Sequence, residues 1–187
     1  MVTIGISGHR HLAEIEKVIS GVDQALAGIV TAYGESAFTV MSSLAEGVEQ
    51  LALQRALKHY PARLTAILPL KAQDYLASFE SAGAREEFHR LLAQASMVIE
   101  LPHVDAREQA YLAAGLYMLE QCDVLLVVWD GLPAQGEGGT GEIVAQARQR
   151  GLPLAWVHAG NRKPGTNQAT SLGEKQGKVS FERMPGL

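Results

Sequence analysis

The sequence has a single cysteine, no long hydrophobic run and no excess of basic residues, and each shortage excludes a class of protein. One thiol, Cys122, cannot form a disulfide within the chain, which favours a reducing compartment and a cytoplasmic location. The longest uninterrupted apolar run, Val124 to Trp129, is far shorter than the roughly 20 residues of a membrane-spanning helix. The opening "MVTIGISGHR" lacks the basic segment and long apolar core of a signal peptide, so none is expected.

The charge balance argues against nucleic acid as a partner. The formal net charge is -4 and the pI is near 5.9. A protein that binds the phosphate backbone without specificity would instead show a stripe of lysine and arginine. We therefore expect neither a nucleic-acid binder nor a membrane protein.

What the chain does contain is an alternation of short apolar runs and helical patterns. Continuous apolar, β-branched runs are typical of strands buried on both faces. They lie at Val2–Ser7, Ala37–Ser42, Arg63–Pro69, Ser96–Leu101, Asp123–Trp129 and Leu152–Val157. Apolar residues at steps of three and four predict helices within Leu12–Tyr33, Val48–Leu57, Phe88–Ala95, Ala110–Met118 and Ile143–Ala147. The alternation predicts an α/β, single-domain Rossmann-like fold with a mainly parallel sheet flanked by helices on both sides.

The pattern ends near residue 160. Residues 1–160 are expected to form the domain, and residues 161–187 a polar C-terminal tail. The stretch "HAGNRKPGTNQATSLGEKQGK" is rich in Gly, Asn, Thr and Lys, which is typical of a loop or a poorly ordered segment. The alternation in "VSFERM", Val179 to Met184, favours one edge strand.

Three loops with unusual residues follow predicted strands. They are "SGHRH" after the first strand, "SSLAEGVEQLA" after the second and "WDGLPAQGEGGTGE" after the fifth. Ligands of open parallel sheets bind at the carboxyl ends of the strands, and a helix N-terminus favours an anion. Glycine and serine also form ordinary turns and caps. Because three such loops share one edge, we predict a site for a phosphate-bearing ligand built from Gly8, His9, Arg10, Ser42, Ser43, Gly47, Asp130, Gly138, Gly139, Thr140 and Gly141.

Neither common phosphate fingerprint is present. The first strand is not followed by G-x-G-x-x-G, and the chain has no G-x-x-x-x-G-K-[ST]. These absences weaken a dehydrogenase or a P-loop NTPase interpretation. The two loop histidines, His9 and His11, lack the carboxylate or cysteine companions of a metal site, so no metal and no cofactor are expected.

Three segments resemble the SLOG superfamily, a Rossmann-like group that includes the DNA-processing protein DprA and the LOG phosphoribohydrolases. "SSLAEGVEQLA" is similar to the DprA-like "SGLAxGIDxxA", with Ser43 and Glu49 as departures. "CDVLLVVWDG…GEGGTGEIVAQA" resembles the LOG pattern "DAFIALPGGxGTxxE", and "ILPL…DYLASFESAGAREEF" is similar to a segment of other SLOG members. The resemblance covers roughly Val2 to Val157 and implies a phosphate-binding loop and a nucleotide ligand.

The departures from the LOG pattern decide the functional expectation. Glu142 stands at the threonine position, and Ala145 stands where LOG enzymes have their glutamate. Arg107 is the candidate for the LOG arginine, and Glu142, Arg107 and Glu46 are the candidate catalytic residues. The leading hypothesis is a nucleotide-binding sensor or ligand-binding protein. The alternative is an enzyme, either a nucleoside 5′-monophosphate N-glycosidase or a deoxyribosyltransferase-like protein.

The helix "AYLAAGLYMLEQ" carries more large apolar residues than one buried face requires. SLOG relatives commonly pair through helices. The expected partner is therefore a second copy of the chain, in a homodimer or a higher homo-oligomer.

Overall fold

A seven-stranded sheet organises the protein. The computed structural model describes residues 1–134 and 139–186. The strands are β1 (Thr3–Gly8), β2 (Phe38–Ser42), β3 (Ala62–Leu68), β4 (Met97–Glu100), β5 (Val124–Trp129), β6 (Leu154–His158) and β7 (Val179–Glu182). Their order across the sheet is β4-β3-β2-β1-β5-β6-β7, and every neighbouring pair is parallel except β6 and β7.

Helices cover both faces of this sheet. They are α1 (Ile15–Tyr33), α2 (Val48–His59), α3 (Ala72–Leu76), α4 (Ala82–Gln94), α5 (Arg107–Gln121) and α6 (Thr140–Gln149), with a short 3₁₀ turn at Gly173–Lys175. One apolar cluster packs mainly under α1, α2 and α4, and a second under α5 and α6. The predicted α/β, Rossmann-like fold with a mainly parallel sheet is confirmed. No helix of the described residues is long and apolar enough to cross a bilayer.

The centre of the sheet explains the apolar runs of the sequence. All six side chains of β5 are buried, as expected of a parallel strand covered on both faces. The strand order reverses between β1 and β5, since β1 leads to β2 on one side while β5 leads to β6 on the other. A crevice opens at the carboxyl ends of strands where the order reverses in this way.

The C-terminal tail packs on the domain although its composition is that of a loop. The buried side chain of Gln176 fixes it: Oε1 accepts from the N–H groups of Gly160 and Leu172, both at 3.0 Å, and Nε2 donates to the carbonyl of Ala13 at 2.8 Å. Strand β7 then pairs antiparallel with β6 at the edge of the sheet. The segment between Gly160 and Gln176 is thereby held near the carboxyl ends of the strands.

Candidate functional site

One cavity of about 680 Å³ lies at the carboxyl ends of the strands. Its described wall includes the ends of β1 and β5, the loop after β2, the N-terminal parts of α5 and α6, and two residues of the tail. This volume falls in the range of ordinary small-molecule sites, roughly 300–1,000 Å³. The three loops that stand out in the sequence therefore meet on one cavity.

The loop after β1 is tied to its neighbours through His9. The backbone N–H of His9 donates to the carbonyl of Val128 at 3.2 Å, and its carbonyl accepts from the N–H of Val48 at 3.1 Å. The ring Nε2 accepts from the backbone N–H of Asp130 at 3.1 Å, which assigns the proton to Nδ1. Burial lowers the pKa of His9, and the Asp130 carboxylate, 3.4 Å away, offsets this only in part. His9 is thus a neutral ring that joins two loops of the wall.

Arg10 follows on the same wall and is partly buried. Its Nη1 donates to the carbonyl of Ser78 at 3.1 Å, and its guanidinium lies 6.0 Å from the ring centre of Tyr111. Gly47 supports this position from behind. A Cβ at Gly47 would lie 2.3 Å from the carbonyl oxygen of Arg10, so only glycine permits the two loops to approach.

The loop after β2 contributes Ser43 and Ala45 to the wall and the first turn of α2 contributes Glu49, whereas Ser42 is not in the described lining. Ser42 is fully buried, and its hydroxyl donates to Glu49 Oε2 at 2.6 Å while accepting from the N–H of Leu44 at 3.0 Å. The N–H of Ala45 also donates to Glu49 Oε2, at 3.2 Å. Burial raises the pKa of Glu49 against the opposing effect of hydrogen bonds from this loop and of the nearby guanidinium charge.

Glu46, a catalytic candidate from the sequence, is not among the described lining residues of the cavity, although it contacts the backbone of Glu80, which is. Its carboxylate accepts from the N–H groups of Glu80 at 2.7 Å and Ser81 at 3.1 Å, at the start of α4. Burial raises the pKa of Glu46, but these hydrogen bonds and the Arg10 charge together outweigh it and lower the pKa. This geometry is that of a carboxylate capping a helix N-terminus.

The glycine-rich loop brings Gly139, Thr140 and Gly141 to the wall, while Gly138 lies outside the described residues. Helix α6 begins at Thr140, so its N-terminus borders the cavity. A Cβ at Gly141 would lie 2.6 Å from the nitrogen of Ala134. Only glycine therefore allows this turn to lie so close to the loop after β5. Glu142 sits in the first turn, and its N–H donates to the carbonyl of Gly139 at 3.0 Å. Its side chain is not part of the described wall.

Near Arg10, the wall carries residues that the sequence did not single out as ligand contacts. The rings of Tyr75 and Tyr111 lie there with their centres 5.8 Å apart. Arg107, which the sequence did identify, donates to the carbonyl of Asp74 at 3.2 Å and approaches the hydroxyl of Tyr111 at 3.4 Å. Arg162 lines the cavity from the tail.

A short polar chain holds the tail against the cavity. Arg162 Nη1 donates to Asn167 Oδ1 at 3.2 Å, and Asn167 Nδ2 donates to Glu80 Oε2 at 3.1 Å. His11 Nε2 lies 3.6 Å from the same Glu80 carboxylate. The polar composition of the tail gave no signal for these contacts, since they join residues that are far apart in the chain.

The described wall carries three arginines and three acids. They are Arg10, Arg107 and Arg162 on one hand and Glu49, Glu80 and Asp130 on the other. The N-terminus of α6 adds positive partial charge to this balance. Within residues 1–134 and 139–186, no group of three or more His, Cys, Asp and Glu side chains is arranged to hold a metal ion.

The comparisons with known proteins bear on the fold. No protein-family model matches the chain, and no curated protein matches it. The solved structure of the structural genomics target TM1055 superposes with a TM-score of 0.50 at 15% identity, covering 82% of this chain and 72% of that one. The fold is Rossmann-like. The structure of the Moco carrier protein of Chlamydomonas rheinhardtii matches with a TM-score of 0.44 at 16% identity, covering 83% and 74% of the two chains.

Proposed function

We propose that this chain binds a nucleotide or a nucleotide derivative in the cavity, as a sensor or ligand-binding protein of the SLOG kind. The observation that carries the proposal is the meeting of three arginines with the N-terminus of α6 on one cavity at the strand-order reversal. Open α/β sheets bind their ligands at this point. The resemblance of three sequence segments to SLOG members supports the same ligand class.

The phosphate fits the α6 end of the cavity best. The first N–H groups of a helix have no partner within it, and those of Thr140 and Gly141 bond to no acceptor among the described residues. A phosphate oxygen is the acceptor that such a helix end favours. Arg10 and Arg107 add planar donors suited to phosphate oxygens.

The remainder of the cavity suits the sugar and the base. A cavity of about 680 Å³ is much larger than inorganic phosphate requires. The partly exposed Tyr111 ring offers aromatic surface, and the carboxylates of Glu49 and Asp130 offer acceptors for hydroxyl or amino groups. A ligand with one anionic end, a polar middle and a flat apolar part matches this division.

The geometry gives less support to an N-glycosidase. Such an enzyme needs a carboxylate at the glycosidic bond, and the two glutamates that the sequence proposed for this role, Glu142 and Glu46, are not on the described wall. Glu46 is engaged at the start of α4. Arg107 lines the cavity, and a binding protein uses an arginine at this place as well as an enzyme does.

A thermal-shift panel tests the proposal. The ligands are AMP, GMP, CMP, their 2′-deoxy forms and inorganic phosphate, with the uncharged nucleosides as controls. A ligand at 100 times its Kd stabilises the folded state by about 2.7 kcal/mol, which raises Tm by roughly 5–10 °C in a chain of this size. We expect a shift with at least one nucleotide and a smaller one with its nucleoside. No shift with any nucleotide at millimolar concentration would overturn the proposal.

Chromatography of the same mixtures separates a sensor from an enzyme. A sensor releases no free base from any nucleotide. Free base that appears with the wild-type protein and disappears with Glu142→Gln would replace the sensor by an N-glycosidase. The conservative variant keeps the side-chain volume, so that loss of product reports on the carboxylate.

A further inference from the structure

Glu49 differs from the other acids around the cavity in how it is held. The loop that precedes it fixes one of its oxygens, through the Ser42 hydroxyl at 2.6 Å and the Ala45 N–H at 3.2 Å. Ser42 is itself anchored by the Leu44 N–H at 3.0 Å. The carboxyl group is therefore held in one orientation before any ligand arrives, which lowers the entropic cost of a contact with it.

Both of these hydrogen bonds end on Oε2, and the Ser43 backbone also hydrogen-bonds to the carboxyl group. A carboxylate has about four acceptor positions, so capacity for one ligand donor remains. Glu49 lies on the cavity wall beside Arg10, yet Arg10 donates to the Ser78 carbonyl and forms no ion pair with Glu49. Within the described parts of the chain, no lysine or histidine forms an ion pair with Glu49 either. A partly buried carboxyl with spare acceptor capacity accepts a hydrogen bond readily from a neutral donor.

The position of Glu49 in the fold indicates which group of the ligand donates a hydrogen bond to it. It stands in the first turn of α2, directly after β2, and β2 is the neighbour of β1 on the side of the sheet away from β5 and α6. If the phosphate lies at the α6 end, the sugar lies between the phosphate and the part of the wall formed by Tyr75 and Tyr111. Glu49 lines this part of the cavity, and a carboxyl oxygen accepts a hydrogen bond from a sugar hydroxyl.

Tyr75 offers a second hydrogen-bonding group for a sugar on the cavity wall. It is only 2% exposed and lines the cavity with Glu49. Burial, followed by the charge of Glu49, raises the pKa of Tyr75 well above its usual value near 10. Its hydroxyl therefore keeps its proton at neutral pH and is able to donate to, or accept from, a second sugar oxygen.

We propose that Glu49 is the specificity-determining residue of this cavity, and that its carboxyl accepts a hydrogen bond from a ribose hydroxyl of the bound nucleotide. The proposal rests on the nucleotide site proposed above. It adds that the protein prefers a ribonucleotide to the deoxynucleotide with the same base and phosphate. Loss of one hydrogen bond to a charged group corresponds to a preference of about ten- to a hundredfold.

Calorimetric titration tests this with the mononucleotide that binds tightest in the panel, its 2′-deoxy form and its 3′-deoxy form. We expect the wild-type protein to bind at least one deoxy form about ten- to a hundredfold more weakly. Glu49→Ala should abolish this difference in affinity, because it lowers the affinity for the ribonucleotide to that for the deoxy form. The matched control is Glu16→Ala, which removes an exposed acid from the first turn of α1 and should keep the wild-type preference.

Glu49→Gln guards against a variant that fails to fold. The Ala45 N–H requires an oxygen at the Oε2 position, so the amide turns its NH₂ group toward the cavity in place of the acceptor. A charge-assisted hydrogen bond is then lost while the volume is kept, and the preference should fall by several-fold. An unchanged preference in both Glu49 variants overturns the proposal, as does equal wild-type affinity for ribo and deoxy forms. Either result is compatible with a nucleotide site in the cavity. If the protein binds no nucleotide at all, both the nucleotide site and the role of Glu49 are overturned.

Discussion

Gly47 is the position where one methyl group should disturb the cavity most. Its φ of 96° and ψ of -123° lie in a region that residues with a Cβ rarely adopt. The Cβ of an alanine would also lie 2.3 Å from the carbonyl oxygen of Arg10 and 2.6 Å from its Cα. Gly47→Ala therefore strains the backbone and pushes the Arg10 loop away from the start of α2.

Two separate costs add up in this variant. The unfavourable backbone conformation costs about 1–3 kcal/mol. Overpacking against backbone atoms, which cannot turn aside as a side chain does, costs about another 1–3 kcal/mol. The sum of about 2–6 kcal/mol corresponds to a fall in Tm of roughly 4–24 °C for a chain of this size.

Gly34→Ala is the matched control, because it shares the positive φ without the contact. Gly34 ends α1 with a φ of 66°, and nothing lies within 4 Å of the position that a Cβ would take there. This variant should lose only the backbone contribution, about 1–2 kcal/mol. Differential scanning calorimetry of the two variants and the wild type gives the comparison. If Gly47→Ala is no less stable than Gly34→Ala, the close approach of the two loops is not a feature of the molecule.

Arg10, His9 and the assembly state each give a further test. Arg10→Ala should lower the affinity for a nucleoside monophosphate by about ten- to a hundredfold in calorimetry, because a hydrogen bond to a charged group is worth about 1.5–3 kcal/mol. Unchanged affinity would remove Arg10 from the site. Burial lowers the pKa of His9, so unfolding takes up a proton once the pH falls below about 6.5; the stability that His9 contributes is present above that pH and lost below it. Urea titrations from pH 7.5 to 5.5 should therefore show a steeper loss for the wild type than for His9→Gln, and parallel curves would contradict the neutral buried ring. Light scattering should report at least a dimer at micromolar concentration, whereas a mass of 20.1 kDa would refute the homo-oligomer.

The strands and the longer helices were predictable because their patterns are local. Continuous apolar runs such as β5 have few alternatives to a buried strand, and α1 is long enough for its periodicity to be clear. Helix α3, with five residues, is too short to show a period. Its side chain Tyr75 belongs to the cavity wall, so one part of the site was missing from the sequence-based prediction.

The difference between Glu46 and Glu49 shows what a motif leaves open. Both stand in "SSLAEGVEQLA", and the choice between them depends on where α2 begins and which way its first turn faces. The unusual backbone of Gly47 determines that start, and it follows from the close approach of Arg10, a contact across the fold. Local sequence contains the glycine but not the loop that requires it.

The tail shows the same limit on a larger scale. Its polar composition indicates a loop, yet Gln176 and Asn167 find partners at Ala13 and Glu80, far away in the chain. Such contacts depend on where the tail returns to the sheet. The position of Arg162 on the cavity wall therefore emerged only from the three-dimensional structure.

A crystal structure of the protein with the mononucleotide that binds tightest in the panel would locate the phosphate and the sugar in the cavity. We predict the phosphate within hydrogen-bond distance of the N–H groups of Thr140 and Gly141 and of the Arg10 guanidinium. The sugar should lie beside Glu49. A nucleotide bound elsewhere on the protein, or one whose phosphate contacts neither the N-terminus of α6 nor Arg10, would contradict the proposed site.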